Sequence, residues 1–181
     1  MKLILIMALT ADGKIGKTPT HFPDWTEPAD KKVFMSVSKD AGVLIMGSKT
    51  FETLAKPLPG RKHVVMTRDK TRQSSNKHVV FTGKAPREVL SDLGAEGYKT
   101  AVLAGGAQIN FLFAKENLID EILLTYSPKI FGTGLSIFPG PVEMELELLE
   151  YRRIGKNTLM ARYRVIKNQR PVDGKGPLSV V

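Results

Sequence analysis

The sequence predicts an α/β protein built on one sheet, largely parallel in its middle and closed by an antiparallel hairpin. Three observations carry that expectation. Short apolar runs such as KLILIMAL and GVLIM alternate with segments of helical spacing, the order that strand–helix–strand units produce. Glycines end two of those runs, in IMGSKT and LAGGAQ, as they do where a strand turns into a helix. The last two runs, MELELLEYRRI and NTLMARYRVIK, flank Gly155, Lys156 and Asn157 with no helical segment between them, which reads as a hairpin.

KLILIMAL opens the chain as a strand. Its apolar run of about eight residues falls short of the ~20 that span a bilayer, and it lacks a signal-peptide cleavage pattern. A helix is expected next, with Thr26 as candidate cap, Pro28 near its first position and no further proline or glycine until Gly42. AGVLIMG reads as a buried strand and SKTFETLA as a short helix behind it, followed by the strands KHVVMT and KHVVF. APREVLSDL has helical spacing, KTAVLAGG is a strand, AQINFLFAK a helix and EILLTYSPKI a strand before the hairpin. No repeat or linker divides residues 1–167, which are expected to form one domain, and residues 168–181 mix proline, glycine and polar residues as a loose tail does.

Composition narrows the chemistry. The chain of 181 residues has no cysteine, which excludes disulfides, a thiolate nucleophile and a Cys-containing zinc site. His21, His63 and His78 lack ligand spacing, so metal chemistry is not expected. A formal charge of +9 admits nucleic acid or a polyanionic small ligand, but the basic residues are spread along the chain without an RNA-recognition or zinc-finger signature.

One helix carries a charge out of place. In DWTEPADKKVF and the residues after it, steps of about 100° put Val33, Phe34, Val37 and Ala41 within about 60° of Asp30. Lys32, Met35, Ser36 and Lys39 fall more than about 100° away. A carboxylate amid an apolar stripe loses hydration worth several kcal/mol unless it is paired, hydrogen-bonded or protonated. Two roles fit such a residue: a structural carboxylate bonded to a neighbouring strand, or a catalytic acid.

GVLIMGSKT departs from a phosphate-binding P-loop, because Ser48 separates Gly47 from Lys49 and the residues between the two glycines form a strand. What remains is a strand end at Gly47 and a helix start with Ser48, Lys49 and Thr50, where free backbone N–H groups bind anions. LAGGAQ repeats the arrangement with Gly105 and Gly106 ahead of Ala107 and Gln108. Either junction alone is an ordinary turn, but two of them suit a dinucleotide pyrophosphate at the C-terminal edge of a sheet. FGTGLSIFP has similar glycines with no helix after them and is a turn. Arg61, held behind a rigid Pro-Leu-Pro-Gly turn, is a fork for a carboxylate or a plain surface arginine, and Thr67 with Arg68 offers a hydroxyl and a cation to an adenosine phosphate.

Over roughly residues 1 to 167 these pieces resemble the dihydrofolate reductase family. The most specific matches are WTEPADKKVF, VLIMGSKTFETLAKPLPGRK, VLAGGAQ and the threonine of LLTYSP. The resemblance implies a central eight-stranded, mostly parallel sheet with an antiparallel C-terminal strand, flanked by four helices. It implies a cytoplasmic enzyme, monomeric or dimeric, that reduces dihydrofolate to tetrahydrofolate with NADPH as cofactor. Asp30 then matches the acidic residue of the pterin pocket, Thr125 the threonine bonded to it and Trp25 the tryptophan of the active-site loop. Ile6, Phe34, Leu54 and Leu58 match the apolar walls around the substrate, and Arg61 the arginine on its glutamate carboxylate. Ala8, Ile15 and Gly16 match residues near the nicotinamide. Gly47, Ser48, Lys49 and Thr50 with Gly105, Gly106, Ala107 and Gln108 match the two cofactor junctions, and Thr67 and Arg68 the adenosine side.

The departures are as specific. Lys31 stands where the family usually has an apolar residue, Ala104 makes one pocket wall small, and Ser48 and Gln108 replace basic residues that commonly bind the NADPH phosphate, leaving Arg68 to offset them. TADGKIG and ENLIDEILLTYSPKIFGTGLSIF are similar instead to the pyrimidine reductase of riboflavin biosynthesis, a relative of the same fold. Reduction of a ribosylaminopyrimidine phosphate is therefore a second expectation, although that substrate offers no glutamate to Arg61. A third, from another class, is a non-catalytic nucleic-acid-binding protein that uses the basic surface.

Overall fold

The computed structural model describes residues 1–54 and 56–167, so the expected tail, 168–181, lies outside the described residues. Strands and helices alternate as β1 (Lys2–Thr10), α1 (Pro28–Ala41), β2 (Val43–Gly47), α2 (Ser48–Glu52), β3 (Lys62–Met66) and β4 (Val79–Thr82). They continue as α3 (Pro86–Ala95), β5 (Thr100–Leu103), α4 (Ala107–Lys115), β6 (Glu121–Ser127), β7 (Glu145–Arg153) and β8 (Leu159–Ile166). All eight strands join one sheet in the order β4-β3-β2-β5-β1-β6-β8-β7. Pairs from β4 through β6 are parallel, whereas β8 is antiparallel to both β6 and β7. Among the described residues this is the expected α/β class, with its eight-stranded sheet and four helices.

Helices on both sides explain the continuous apolar strands. One core cluster joins Leu3, Leu5, Val43, Ile45, Ala101 and Leu103 to Val89 and Leu93 of α3 and Phe113 of α4. The other joins Ile4, Ile6, Leu44, Met46, Val102, Leu123 and Met160 to Val33, Phe34, Val37 and Ala41 of α1 and Phe51 of α2. Burying one such leucine or isoleucine side chain contributes about 1.5–3 kcal/mol, so alternate residues of each strand secure opposite helix layers.

Two local expectations need correction. Thr26 does not cap α1: Glu27 is the N-cap residue, and the Thr26 hydroxyl donates instead to the Pro23 carbonyl at 3.4 Å. Pro28 already sets the first helical turn, which therefore starts too late for a Thr26 cap. The helix ends as expected at Gly42, whose φ of 72° is left-handed and whose N–H reaches the Ser38 and Lys39 carbonyls. The helix read from SKTFETLA stops at Glu52. Thr53 turns its hydroxyl back to the Thr50 carbonyl at 2.7 Å, and Pro57 disfavours a helical residue before it.

The chain runs outward from β1 through β2 and β3 to β4, returns to β5 and then crosses to β6. That reversal opens a crevice at the C-terminal ends of β1 and β5, the place where open α/β sheets bind ligands.

Candidate active site

α1 turns the stripe of Phe34, Val37 and Ala41 onto the sheet, as its spacing predicts, and Asp30 follows the same face inward. Asp30 is 9% exposed, and its Oδ1 accepts a hydrogen bond of 2.5 Å from the hydroxyl of Thr125, itself 1% exposed. Thr125 stands on β6 directly beside Ala8 of β1. Among the described residues no cation lies within ion-pair distance of Asp30. A carboxylate has room for about four hydrogen bonds, so one hydroxyl leaves most of its accepting capacity to a ligand with N–H donors. Ile6, Phe34, Leu54, Leu58 and Ala104 share one apolar cluster on this side of the sheet.

Arg61 is not the free surface fork that its position after a turn permits. It is 4% exposed, its Nε donates to the Pro59 carbonyl at 3.2 Å, and its Nη1 donates to the Ser38 hydroxyl at 2.8 Å and to the Met35 sulfur at 3.5 Å. Burial pushes the guanidinium down from its ordinary value, which is high enough that the group keeps its charge at neutral pH. Three of its five donors are engaged in this way, and the other two remain for an anion.

The two glycine junctions are adjacent. Gly47 donates its N–H to the Gly105 carbonyl at 2.8 Å, so the starts of α2 and α4 lie side by side across β2 and β5. Gly47 and Gly106 are the N-cap residues, and no side chain caps either helix. A Cβ on Gly47 would stand 2.9 Å from the Ile109 side chain, which would have to shift, and one on Gly106 would stand 3.3 Å from the Thr50 hydroxyl, so glycine lets the two junctions approach this closely. Ser48, Thr50 and Ala107 are half-buried there, while Lys49 and Gln108 are exposed. Thr67 and Arg68 follow β3, next to β2, with Arg68 exposed and the Thr67 hydroxyl accepting from the Asp69 N–H at 3.1 Å. Uncapped N–H groups from two neighbouring helices fit a pyrophosphate, the anion a nicotinamide dinucleotide carries.

A long loop leads from β1 to α1 over the same edge. Ile15 and Gly16 pair with Leu135 through backbone bonds of 2.9 and 2.8 Å, which ties this loop to the β6–β7 connection. Trp25 packs edge-on against Phe131 with ring centres 5.3 Å apart. Its buried Nε1–H has no acceptor among the described residues.

Three contributors escape a reading of the sequence. Ser38 lies on the Asp30 face of α1, two turns on, and a polar residue at that spacing is the one signal that could have exposed it. His63 is fully buried, and its Nε2 accepts from the Leu58 N–H at 3.1 Å, which holds the turn that carries Leu58 and Arg61. Burial pushes its imidazole down from the ordinary value, with the nearby Arg61 charge acting in the same direction. Asp12 takes the Thr10 hydroxyl at 2.5 Å and the Phe131 and Gly132 N–H groups at 3.2 and 2.8 Å. The Thr10 bond, backed by those N–H groups, holds its carboxyl below the usual carboxylate range.

A sequence model of the family described as dihydrofolate reductase matches residues 2–164. The chain belongs to the dihydrofolate reductase family. It is 30% identical over 174 residues to the type 3 dihydrofolate reductase of Salmonella typhimurium, a match that covers 94% of this chain and 100% of the relative. It is 40% identical over 119 residues to the dihydrofolate reductase of Lactococcus lactis, covering 61% of this chain and 69% of that one. Membership of the family makes the protein an oxidoreductase that acts on a small molecule. In fold it is similar to RibD of Acinetobacter baumannii, with a TM-score of 0.75 at 17% identity over 92% of this chain and 58% of RibD. It is similar to the same degree to a bifunctional phosphoribosylaminopyrimidine deaminase/reductase of Thermotoga maritima, with a TM-score of 0.72 at 16% identity over 91% of this chain and 56% of that one. Among the described residues no helix is long and apolar enough to cross a membrane.

Proposed function

We propose that the protein reduces dihydrofolate to tetrahydrofolate with NADPH. The observation that carries this reading is the buried Asp30–Thr125 pair, a carboxylate in an apolar wall that has a hydroxyl partner and, among the described residues, no cation. A pterin presents adjacent amino and ring N–H donors that satisfy such a carboxylate, whereas a purely structural role leaves its desolvation weakly compensated.

In this reading the Thr125 hydroxyl fixes the rotamer of Asp30 from one side, and Asp30 receives the pterin edge on the other. The carboxylate orients the ring and raises the proton affinity of its imine nitrogen, with water as the last carrier of the proton. Ile6, Phe34, Leu54 and Leu58 exclude bulk water from the ring, and Arg61, steadied by Ser38, takes the glutamate carboxylate. The starts of α2 and α4, with Lys49, Thr50, Gly105 and Gly106, would hold the dinucleotide, and Thr67 and Arg68 its adenosine phosphate. Bound there, NADPH supplies the hydride that reduces the C=N bond. Ala8, Ile15 and Gly16 would border its nicotinamide, with Trp25 in the loop that covers it.

The test is direct. Loss of reduced nicotinamide is followed with NADPH and dihydrofolate from acid to neutral pH; no turnover above background from folded protein overturns the proposal. The likeness in fold to the Thermotoga maritima deaminase/reductase gives a second reading, reduction of a ribosylaminopyrimidine phosphate. Turnover of that substrate in place of dihydrofolate would select it. Duplex binding that weakens steeply with salt, in a protein with neither activity, would select a nucleic-acid role.

A further inference from the structure

β7 is the edge strand of the sheet, and all nine of its residues are exposed. Its two faces are finished differently. On one face Glu147 pairs with Arg164 at 2.7 Å and Glu150 with Arg152 at 2.9 Å, beside an Arg162–Glu121 pair at 2.6 Å. On the other, Leu148 and Tyr151 join Leu159, Ala161 and Tyr163 of β8 and Tyr126 of β6 in an open apolar groove. Leu148 is 51% exposed and Tyr151 69%, a large apolar surface on a strand with no outer neighbour among the described residues.

An unpaired edge of this length is a template for another strand; β7 contains neither proline nor lysine, and its five charges and its bulge restrict which strand can pair with it. Its charges are ordered along the strand, with Glu145, Glu147 and Glu150 first and Arg152 and Arg153 last. A uniformly acidic or basic partner is repelled by one half. The same strand turned about a two-fold axis presents the opposite order and is attracted by both.

The bulge in β7 selects the register. The pairing with β8 shifts by one residue between Leu148 and Glu150, so Leu148 lies opposite Tyr163 and Tyr151 opposite Ala161, on one face of the sheet. Antiparallel pairing of two copies about the Leu149–Glu150 bond then sets Leu148 against Tyr151 on the apolar face and Glu147 against Arg152 on the charged face. Each contact occurs twice by symmetry. Without the extra residue those partners would point to opposite faces.

We propose that the protein is a homodimer in which the two β7 strands pair antiparallel and join two eight-stranded sheets edge to edge. The inference is independent of which substrate the enzyme reduces. Sedimentation velocity of the full chain from about 0.5 to 50 µM tests it, with a dimer of two 20.0 kDa chains as the expected species. Glu147→Arg and Arg152→Glu each place like charges opposite one another at two points and weaken dimerisation about tenfold or more. The double variant Glu147→Arg/Arg152→Glu restores the pairing. A chain that stays monomeric throughout overturns the proposal. So does a dimer that both single variants leave intact, or one that the double variant fails to restore.

Discussion

At the scale of single residues, the site depends on side chains held in place by neutral partners. Asp30 keeps one oxygen on the Thr125 hydroxyl and the rest of its capacity for a ligand, so Asp30→Asn retains the shape but removes the charge and exchanges one acceptor oxygen for an NH2 donor. Hydride transfer to dihydrofolate is expected to fall about a hundredfold or more, with NADPH affinity nearly unchanged; stopped-flow rates beside a cofactor titration measure both. Arg61 and Ser38 form the second such pair. Arg61→Ala should raise the KM for dihydrofolate with kcat little changed, and Ser38→Ala should produce the same pattern more weakly, because it removes one hydrogen bond from a charged donor, about 1.5–3 kcal/mol, and leaves the guanidinium in place. An effect of Arg61→Ala confined to NADPH would mean that its anion belongs to the cofactor. Asp30 was legible from helical spacing alone, whereas Thr125, 95 residues away, was reached only through the family resemblance, because no local pattern brings that strand beside α1.

At the scale of elements, the loop ahead of α1 is pinned to the β6–β7 connection by Asp12 and by the pairing of Gly16 with Leu135. Because the folded carboxyl of Asp12 titrates below its ordinary value, the latch is complete above that ordinary value and weakens as pH falls through the lowered one. Trp25 is the single tryptophan of the chain and packs on Phe131 within the same contact, so its fluorescence reports the latch. Acid titration of the folded protein should change that emission, and Asp12→Ala should bring the change to neutral pH; an emission indifferent to both would detach Trp25 from the latch. Element order was readable because parallel strands covered on both faces are continuous apolar runs and AQINFLFAK has helical spacing. Ends were less so, since Thr26 and the close of α2 turned on hydrogen bonds to Pro23 and Thr50 that spacing does not encode.

At the scale of the whole molecule, stability is coupled to pH through His63. In the fold it is neutral and buried, with Nε2 engaged by Leu58, and its pKa is lowered, so below the ordinary value near 6.5 the unfolded chain binds more protons than the folded one. Stability is therefore complete above that value and falls as pH drops through it until the folded imidazole itself protonates. Melting curves from pH 7.5 to 5.5 should show a decline in Tm that His63→Gln largely removes, and an unchanged slope in the variant would assign the decline elsewhere. His63 also shows where the sequence falls silent, because a lone histidine between a basic pair and an apolar run looks the same whether it supports a turn or faces water. By itself the sequence determined the order of strands and helices, the apolar face that carries Asp30 and the two glycine junctions, because periodicity and glycine geometry are local properties of a chain. Family resemblance already paired Thr125 with Asp30, but only the tertiary structure decided that Ser38 holds Arg61, that Gly47 abuts Gly105 and that β7 lies at the edge of the sheet. Those are pairings across the sheet, and their energies depend on which distant groups share one desolvated space.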